Sequence, residues 1–310
     1  IALQLGLPGL GIMHSDLGGF AGANLDDELY VRWLQYGVFQ PIFRPHAQEE
    51  VPSEPVFRSK KALELSKEAI ALRYALLPYN YHLVFENSTK GLPLMRPLFF
   101  EDSRAKMDTI SSTYLWGNDF LISPITKAGQ QLKEVHFPNT ANWYDFYTKE
   151  KYEGGKTEVL NTQKNTIPTF VRGGAIIPMI DPIQSTDNYE LDAFQLHYYF
   201  DQEVKHTLRL IYNDNGLLAN AYENGHYELL KVNAKHNSKH IQIDLSATNG
   251  AQFQANKKDI ELVLYNLNSP PKRVVYNTKK INYQYDHLTK TCRLKLSWKT
   301  SNRSTIKIKF

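Results

Sequence analysis

The chain has 310 residues, enough for two or three domains with cores of their own. Its 42% hydrophobic and 22% charged residues fit a soluble globular protein, and a formal charge of only +4 from scattered lysines and arginines argues against a nucleic-acid partner. One cysteine, Cys292, excludes an internal disulfide framework, and no apolar run reaches the length of a membrane span.

In chain order, Ile1 opens inside IALQLGLPGL, which reads as the tail of a helix closed by Gly6 and Pro8. A natural terminus rarely falls in mid-element, so the sequence is expected to be the C-terminal part of a longer chain. No stretch of it reads as a signal peptide, and location stays open. GLGIMH (9–14) is a short apolar run, a candidate buried strand. Asp26 or Asp27 is placed to cap a helix through Leu29, Trp33, Leu34 and Gly37. GVFQPIFR (37–44) is a second buried run. The stretch 59–88 then reads as a long helix capped by Ser59 and bent or broken at Pro78. Strand, helix, strand, helix is the logic of βα units with parallel strands. Two such units cannot close a barrel, but they fit the last two of eight.

After Gly91 the helical pattern stops. YLWGNDFLISPI, KEVHFP, ANWYDFYT and TIPTFVRGGAIIPM are short strands between turn signals, as in a β-sandwich ending near residue 180. From about Asp187 to Phe310, LHYYF, KHTLRLIYND, YELLKVNA, HIQIDLSA, DIELVLYN and STIKIKF alternate with period two, so each strand has one buried face. Asn213-Asp214-Asn215-Gly216 predicts a turn between two of them. The aromatic content of 12%, with 19 tyrosines, suits strands and cores, and it suits rings stacked on sugar faces.

In an α/β barrel the working residues sit at the C-terminal ends of the strands. Two places fit: His14-Ser15-Asp16 after the first run, and Arg44-Pro45-His46 after the second. If the runs are neighbours, both loops open on one face, and an Asp, an Arg and two His surround one pocket. Asp accepts from paired sugar hydroxyls, Arg and His donate, and Phe20 or Trp33 supplies an apolar wall. Plainer readings stand beside this one. Asp16 before Leu-Gly-Gly is placed to close an Asx turn, Arg44 to pair with Glu49 and Glu50, and His46 to be an ordinary loop residue. Two polar loops at equivalent places in adjacent units weigh for a ligand site. His14, Asp16 and His46 alone make a thin case for a metal, and the chain has no nucleophile elbow, phosphate loop or dinucleotide glycine motif.

HSDLGGF, ELYVRWLQYGVFQPIFRPHA, ALRYALLPYNYHL and PLMRPLFFED, followed in order by YLWGNDFLISPI, WYDFYT, YEGG and IPTFVRGGAIIP, resemble the barrel end of glycoside hydrolase family 31. The likeness is dense over residues 1–180 and looser through YNDNG…YENGHY. It implies an α/β plus all-β fold: the last two βα units of a (β/α)8 TIM barrel over residues 1–92, a proximal β-sandwich over 93–182 and a distal one over 183–310. It also implies an exo-acting retaining α-glycosidase, α-glucosidase first, with α-xylosidase or α-galactosidase as rivals. A non-catalytic carbohydrate-binding or scaffold protein is the reading from another class. By the same likeness Asp16 and Phe20 line the subsite for the non-reducing-end sugar, His46 binds its hydroxyls, and Arg44 supports the neighbouring carboxylates. The nucleophile and the acid/base carboxylate of such enzymes fall before residue 1, so no catalytic residue is expected in this chain. Its partners would be an α-glycoside or oligosaccharide and the missing N-terminal part of the enzyme, with no metal or organic cofactor. Location is open, although enzymes that process polysaccharides are often exported.

Overall fold

The computed structural model describes residues 1–22, 26–104 and 107–310. The chain divides into two compact units, residues 1–74 with 86–172, and residues 75–85 with 173–310.

In the first unit the helices begin where their caps are. Helix α1 spans Ala2–Gly6, α2 spans Asp27–Gly37 and α3 spans Lys60–Ala75. Asp26 Oδ1 accepts the Leu29 N–H at 3.0 Å, and Asp27 and Glu28 follow in the first turn, where the helix dipole favours anions. Ser59 Oγ accepts the Ala62 N–H at 3.3 Å. The expected long helix is two: α4 runs Leu77–Lys90, with Pro78 in its first turn, where a missing N–H costs nothing. Gly91, at φ +70°, ends it.

The two apolar runs expected as strands form no strand among the described residues. Just beyond them Leu17 and Pro45 form one isolated parallel bridge, beside a hydrogen bond from the Leu17 N–H to the Arg44 carbonyl at 3.3 Å. Two facts of sequence explain the short pairing. Pro41 and Pro45 remove N–H donors that a ladder would need, and Gly37 is spent on the end of α2.

Eight strands complete this unit: β1 (Met95–Arg96), β2 (Tyr114–Trp116), β3 (Phe120–Ile122), β4 (Leu132–His136), β5 (Trp143–Asp145), β6 (Lys151–Tyr152), β7 (Thr157–Asn161) and β8 (Thr169–Arg172). They form a six-stranded sheet, β1-β2-β3-β8-β5-β6, and a separate pair, β4-β7. Leu115, Leu121, Trp143 and Phe170 from the sheet share one core with Val135 from the pair, so the two layers pack as in a sandwich. Helix α2 is tied to this β-region by side chains that reach backbone carbonyls. Arg32 donates to Gln163 and Thr166 at 2.6 and 2.9 Å, and Gln35 donates to Lys164 at 3.0 Å.

The second unit holds β9 (Ile176–Met179), β10 (Ala193–Tyr199), β11 (His206–Asp214), β12 (Tyr227–His236), β13 (His240–Asn249), β14 (Lys257–Tyr265), β15 (Arg273–Tyr276), β16 (Lys279–Lys280), β17 (Gln284–Asp286), β18 (Thr291–Lys299) and β19 (Ser304–Lys309). One sheet runs β17-β18-β14-β10-β9 and the other β11-β12-β13-β19-β15-β16. Every second residue of β10, β14 and β18 meets every second residue of β12, β13 and β19 in a single apolar core. The pairing is antiparallel except between β10 and β14, which run parallel. The turn expected at 213–216 is not a tight hairpin. Asp214 still belongs to β11, and residues 215–226 intervene before β12. The Asp214 carboxylate takes hydrogen bonds from the Tyr81 and Tyr212 hydroxyls and the Gly216 N–H, at 2.7, 2.6 and 2.7 Å. Burial, then these bonds to a carboxylate, push both phenols far above their ordinary pKa.

One buried ion pair crosses this sandwich. Lys258 on β14 and Glu228 on β12 each share the inward face of their strand, both are fully buried, and Nζ lies 2.9 Å from Oε2. Asp192 offers Lys258 a second carboxylate at 3.2 Å. Removing the ammonium alone strands a buried carboxylate, so Lys258→Met is expected to lower the unfolding free energy by about 3–5 kcal/mol. The double variant Lys258→Met/Glu228→Leu should regain most of that loss in urea unfolding. A single variant as stable as the parent would show that the carboxylate is neutral or hydrated in place.

In the first unit Asp102 is the matching constraint. Its buried carboxylate accepts from Arg104 Nε at 2.8 and 2.9 Å and from the Asn139 N–H at 3.0 Å. The hydrogen bonds from Arg104 first, and those from the backbone, hold its pKa below the ordinary carboxylate value against the opposing effect of burial. A depressed folded pKa means stability that is complete above the unfolded value and lost as pH falls through the folded one. The stability gap between the parent and Asp102→Asn should therefore be constant at neutral pH and shrink below about pH 4. A gap unchanged down to pH 2.5 in thermal unfolding would refute this.

Candidate functional site

Leu17 is 1% exposed and anchors the first loop. Its side chain fits because residue 37 has none: a Cβ there would lie 2.6 Å from Leu17 Cδ1. Immediately after it the chain turns at Gly18, φ +94°, and the turn is closed by the Gly19 N–H donating to the Asp16 carbonyl at 3.1 Å. The turn thus uses the backbone of Asp16. Its carboxylate instead approaches His14, Oδ1 to Nδ1 at 3.3 Å. The other ring nitrogen of His14 is hydrogen-bonded to the Arg44 carbonyl at 3.1 Å. An amide carbonyl only accepts, so Nε2 carries the proton of that bond.

The second loop lies against the first. The Gln48 N–H donates to the Phe20 carbonyl at 2.9 Å, and the rings of Phe20 and His46 approach to 5.7 Å at 49°. Arg44 turns its guanidinium on its neighbour two residues on and donates to His46 Nδ1 at 3.0 Å. Because Arg has donors only, His46 accepts at Nδ1 and carries its proton on Nε2, where it can donate to a ligand oxygen. Among the described residues Arg44 makes no ion pair with Glu49 or Glu50.

All four sequence-predicted residues, Asp16, Phe20, Arg44 and His46, therefore stand on two adjoining loops. Asp16 keeps about a third of its side chain exposed and Phe20 about half. They offer one carboxylate acceptor, one ring N–H donor, one guanidinium and one exposed aromatic face. That set matches the alternating donors, acceptors and apolar C–H faces of a pyranose. Trp33 donates its indole N–H to Ser15 Oγ at 3.2 Å, and its ring lines a hollow of about 870 Å³ with Met13, His14, Ser15 and Tyr36. Among the described residues no three His, Cys, Asp or Glu side chains converge as a metal would need, and no helix is long and apolar enough to cross a membrane.

Three supports of the site escape a reading of the sequence. Ser15 Oγ donates to Gln40 Oε1 at 3.0 Å, and Gln40 Nε2 donates to the Ile42 carbonyl at 2.9 Å, so the two loops are joined behind the exposed residues. Arg73 on α3 donates to the carbonyls of Val38, Gln40 and Pro41 at 2.9, 2.8 and 2.8 Å and fixes the approach to Arg44. Burial lowers the Arg73 pKa to about 10, and it stays charged at neutral pH. The one signal in the sequence is Gln40, a polar residue inside an apolar run and 0% exposed.

The family model for the glycosyl hydrolases family 31 TIM-barrel domain matches residues 1–83, and that for the glycosyl hydrolase family 31 C-terminal domain matches residues 91–177. The chain belongs to glycoside hydrolase family 31. An α-xylosidase of Saccharolobus solfataricus is 32% identical over 267 residues, which is 84% of this chain and 35% of that enzyme. A probable glucan 1,3-α-glucosidase of rice is 39% identical over 188 residues, 58% of this chain and 20% of its own length. Among solved structures, a family 31 dextranase of Flavobacterium johnsoniae complexed with glucose superposes on 100% of this chain with a TM-score of 0.93 and 26% identity; the match covers 41% of that chain. The chain thus spans between a fifth and two fifths of these relatives.

The loop geometry makes a demand on Gly18. A Cβ there would sit 2.4 Å from the ring of Tyr30, whose hydroxyl is held by the Ser53 carbonyl at 2.7 Å. Gly19 has the same sign of φ, +102°, but no atom within 4 Å of its Cβ position. Gly18→Ala is expected to cost more than the 1–3 kcal/mol of backbone strain that Gly19→Ala costs, about that range in each case before the clash is added. Equal losses in denaturant unfolding would mean that Tyr30 yields without cost.

Proposed function

We propose that this chain supplies part of the subsite that holds the non-reducing-end sugar in an exo-acting, retaining α-glycoside hydrolase, and that the enzyme is an α-glucosidase. The observation that carries the reading is the convergence of Asp16, Phe20, Arg44 and His46 on two adjoining loops. Membership of the family supports it, and so do the relatives described as α-glucosidases. Asp16 accepts hydrogen bonds from a pair of vicinal hydroxyls, His46 donates from Nε2 to a third oxygen, and Arg44 sets the tautomer that makes this possible. Phe20 closes the apolar side. The parallel bridge between Leu17 and Pro45 supports reading residues 1–92 as the last two βα units of a (β/α)8 barrel. Residues 93–182 and 183–310 follow as proximal and distal sandwiches.

On this reading Asp16 binds and does not attack. In double displacement one carboxylate attacks the anomeric carbon while another protonates the leaving oxygen and then activates water. Both are assigned to residues outside this chain, supplied by the remainder of the enzyme, which also covers the hollow beside Trp33. Asp16→Asn, made in the protein at its natural length, should lower kcat/KM for a nitrophenyl α-glucoside about 10–100-fold, the worth of hydrogen bonds to a charged group. Both affinity and turnover should fall, and azide or formate should not restore turnover. Rescue by either anion would make Asp16 the nucleophile and overturn the assignment.

α-Xylosidase is the second reading, because the relative matched over 84% of the chain carries that description. A nitrophenyl α-xyloside turned over faster than the α-glucoside would select it.

A further inference from the structure

His14 is the residue of the first loop that the subsite leaves without a task. Its ring spans the two loops: Nε2 is bonded to the Arg44 carbonyl at 3.1 Å, and Nδ1 stands 3.3 Å from the Asp16 carboxylate. About a fifth of its side chain is exposed, against a third for Asp16, so it lies deeper than the carboxylate it touches. The Arg44 carbonyl that holds the ring also takes the Leu17 N–H, at 3.3 Å, and the Arg44 side chain reaches His46 at 3.0 Å. One imidazole therefore connects the acceptor of the site to the residue that sets its donor. The flanking Ser15 is itself fixed between Trp33 and Gln40, and the turn after Asp16 is closed through the backbone. Among the described residues His14 is the group placed against the Asp16 carboxylate.

We infer that His14 is a positioning residue that, as the imidazolium with Nε2–H on the Arg44 carbonyl and Nδ1–H facing Asp16 Oδ1, holds the Asp16 carboxylate in register with Arg44 and His46, so that the sugar meets an acceptor already oriented. The inference rests on the reading of Asp16 as a sugar ligand. A carboxylate that need not be immobilised on binding saves side-chain entropy at that moment, and a residue acting this way changes affinity through its neighbour alone.

The test is a thermodynamic cycle on D-glucose binding, measured by calorimetry on the protein at its natural length, with parent, His14→Ala, Asp16→Ala and the double variant. His14→Ala should weaken binding about 3–30-fold in the parent background, the range of coupling between residues in contact. It should have less than about a twofold effect once Asp16 is Ala. His14→Gln, whose amide can still donate to the Arg44 carbonyl, should recover part of the loss, and it replaces His14→Ala if that variant does not fold. Unfolding midpoints measured in parallel report any general damage. An equal loss from His14→Ala in both backgrounds overturns the inference and leaves the role of Asp16 intact. Full affinity in Asp16→Ala, or no glucose binding by the parent, overturns the subsite reading and this inference with it.

Discussion

The Arg44 carbonyl is the joint on which the site turns. Its two lone pairs take the Leu17 N–H and the His14 ring. A carbonyl with both acceptors filled fixes the angle between its donors as well as the distances. The Arg44 peptide is in turn held from behind, since Arg73 gathers three carbonyls a few residues upstream. Such backbone anchoring suits a binding loop, which needs polar side chains free at the surface and a main chain that does not move.

The helix ends and the meeting of the two loops are more legible in the sequence than the bonds that brace them. Asp26, Ser59 and Pro78 announce helix ends because capping is local, a matter of three or four residues. That Asp16 and His46 should share a face follows from βα logic, and the two loops do adjoin. The apolar runs at 9–14 and 37–44 read as strands, yet the structure has only an isolated bridge just beyond them, between Leu17 and Pro45, because hydrophobic runs report burial and say nothing of available ladder donors. The Ser15–Gln40 bond and the Arg73 clasp were illegible for another reason: each links residues 25 or more apart through a side chain, and no periodicity encodes that. β7, with alternate residues exposed or half-buried, reads in sequence as polar surface.

The surplus of aromatic residues is settled by the same kind of accounting. Tyr30, Tyr79, Tyr198 and Tyr199 are all but fully buried, and Tyr81 and Tyr212 spend their hydroxyls on Asp214. Most of the rings thus serve packing, with phenols that burial keeps protonated well past neutral pH. Phe20 differs in being half exposed beside His46, and exposure combined with placement is what separates a candidate ligand face from a core residue.

The order of strands in the second unit also bears on how the molecule is made. β19, the last strand, lies between β13 and β15, in the interior of its sheet. β10 must likewise wait for β14, because they pair in parallel across the three strands of the opposite sheet that separate them in sequence. Synthesis from the N-terminus therefore produces a half-built sandwich with an open seam, and zipping hairpins together as they emerge cannot close it. The seam shuts only when residues 304–309 have left the ribosome, so the unit folds late, through contacts of long sequence separation. A nascent chain paused just short of them would present an unpaired inner edge, the surface most open to mispairing with its neighbours.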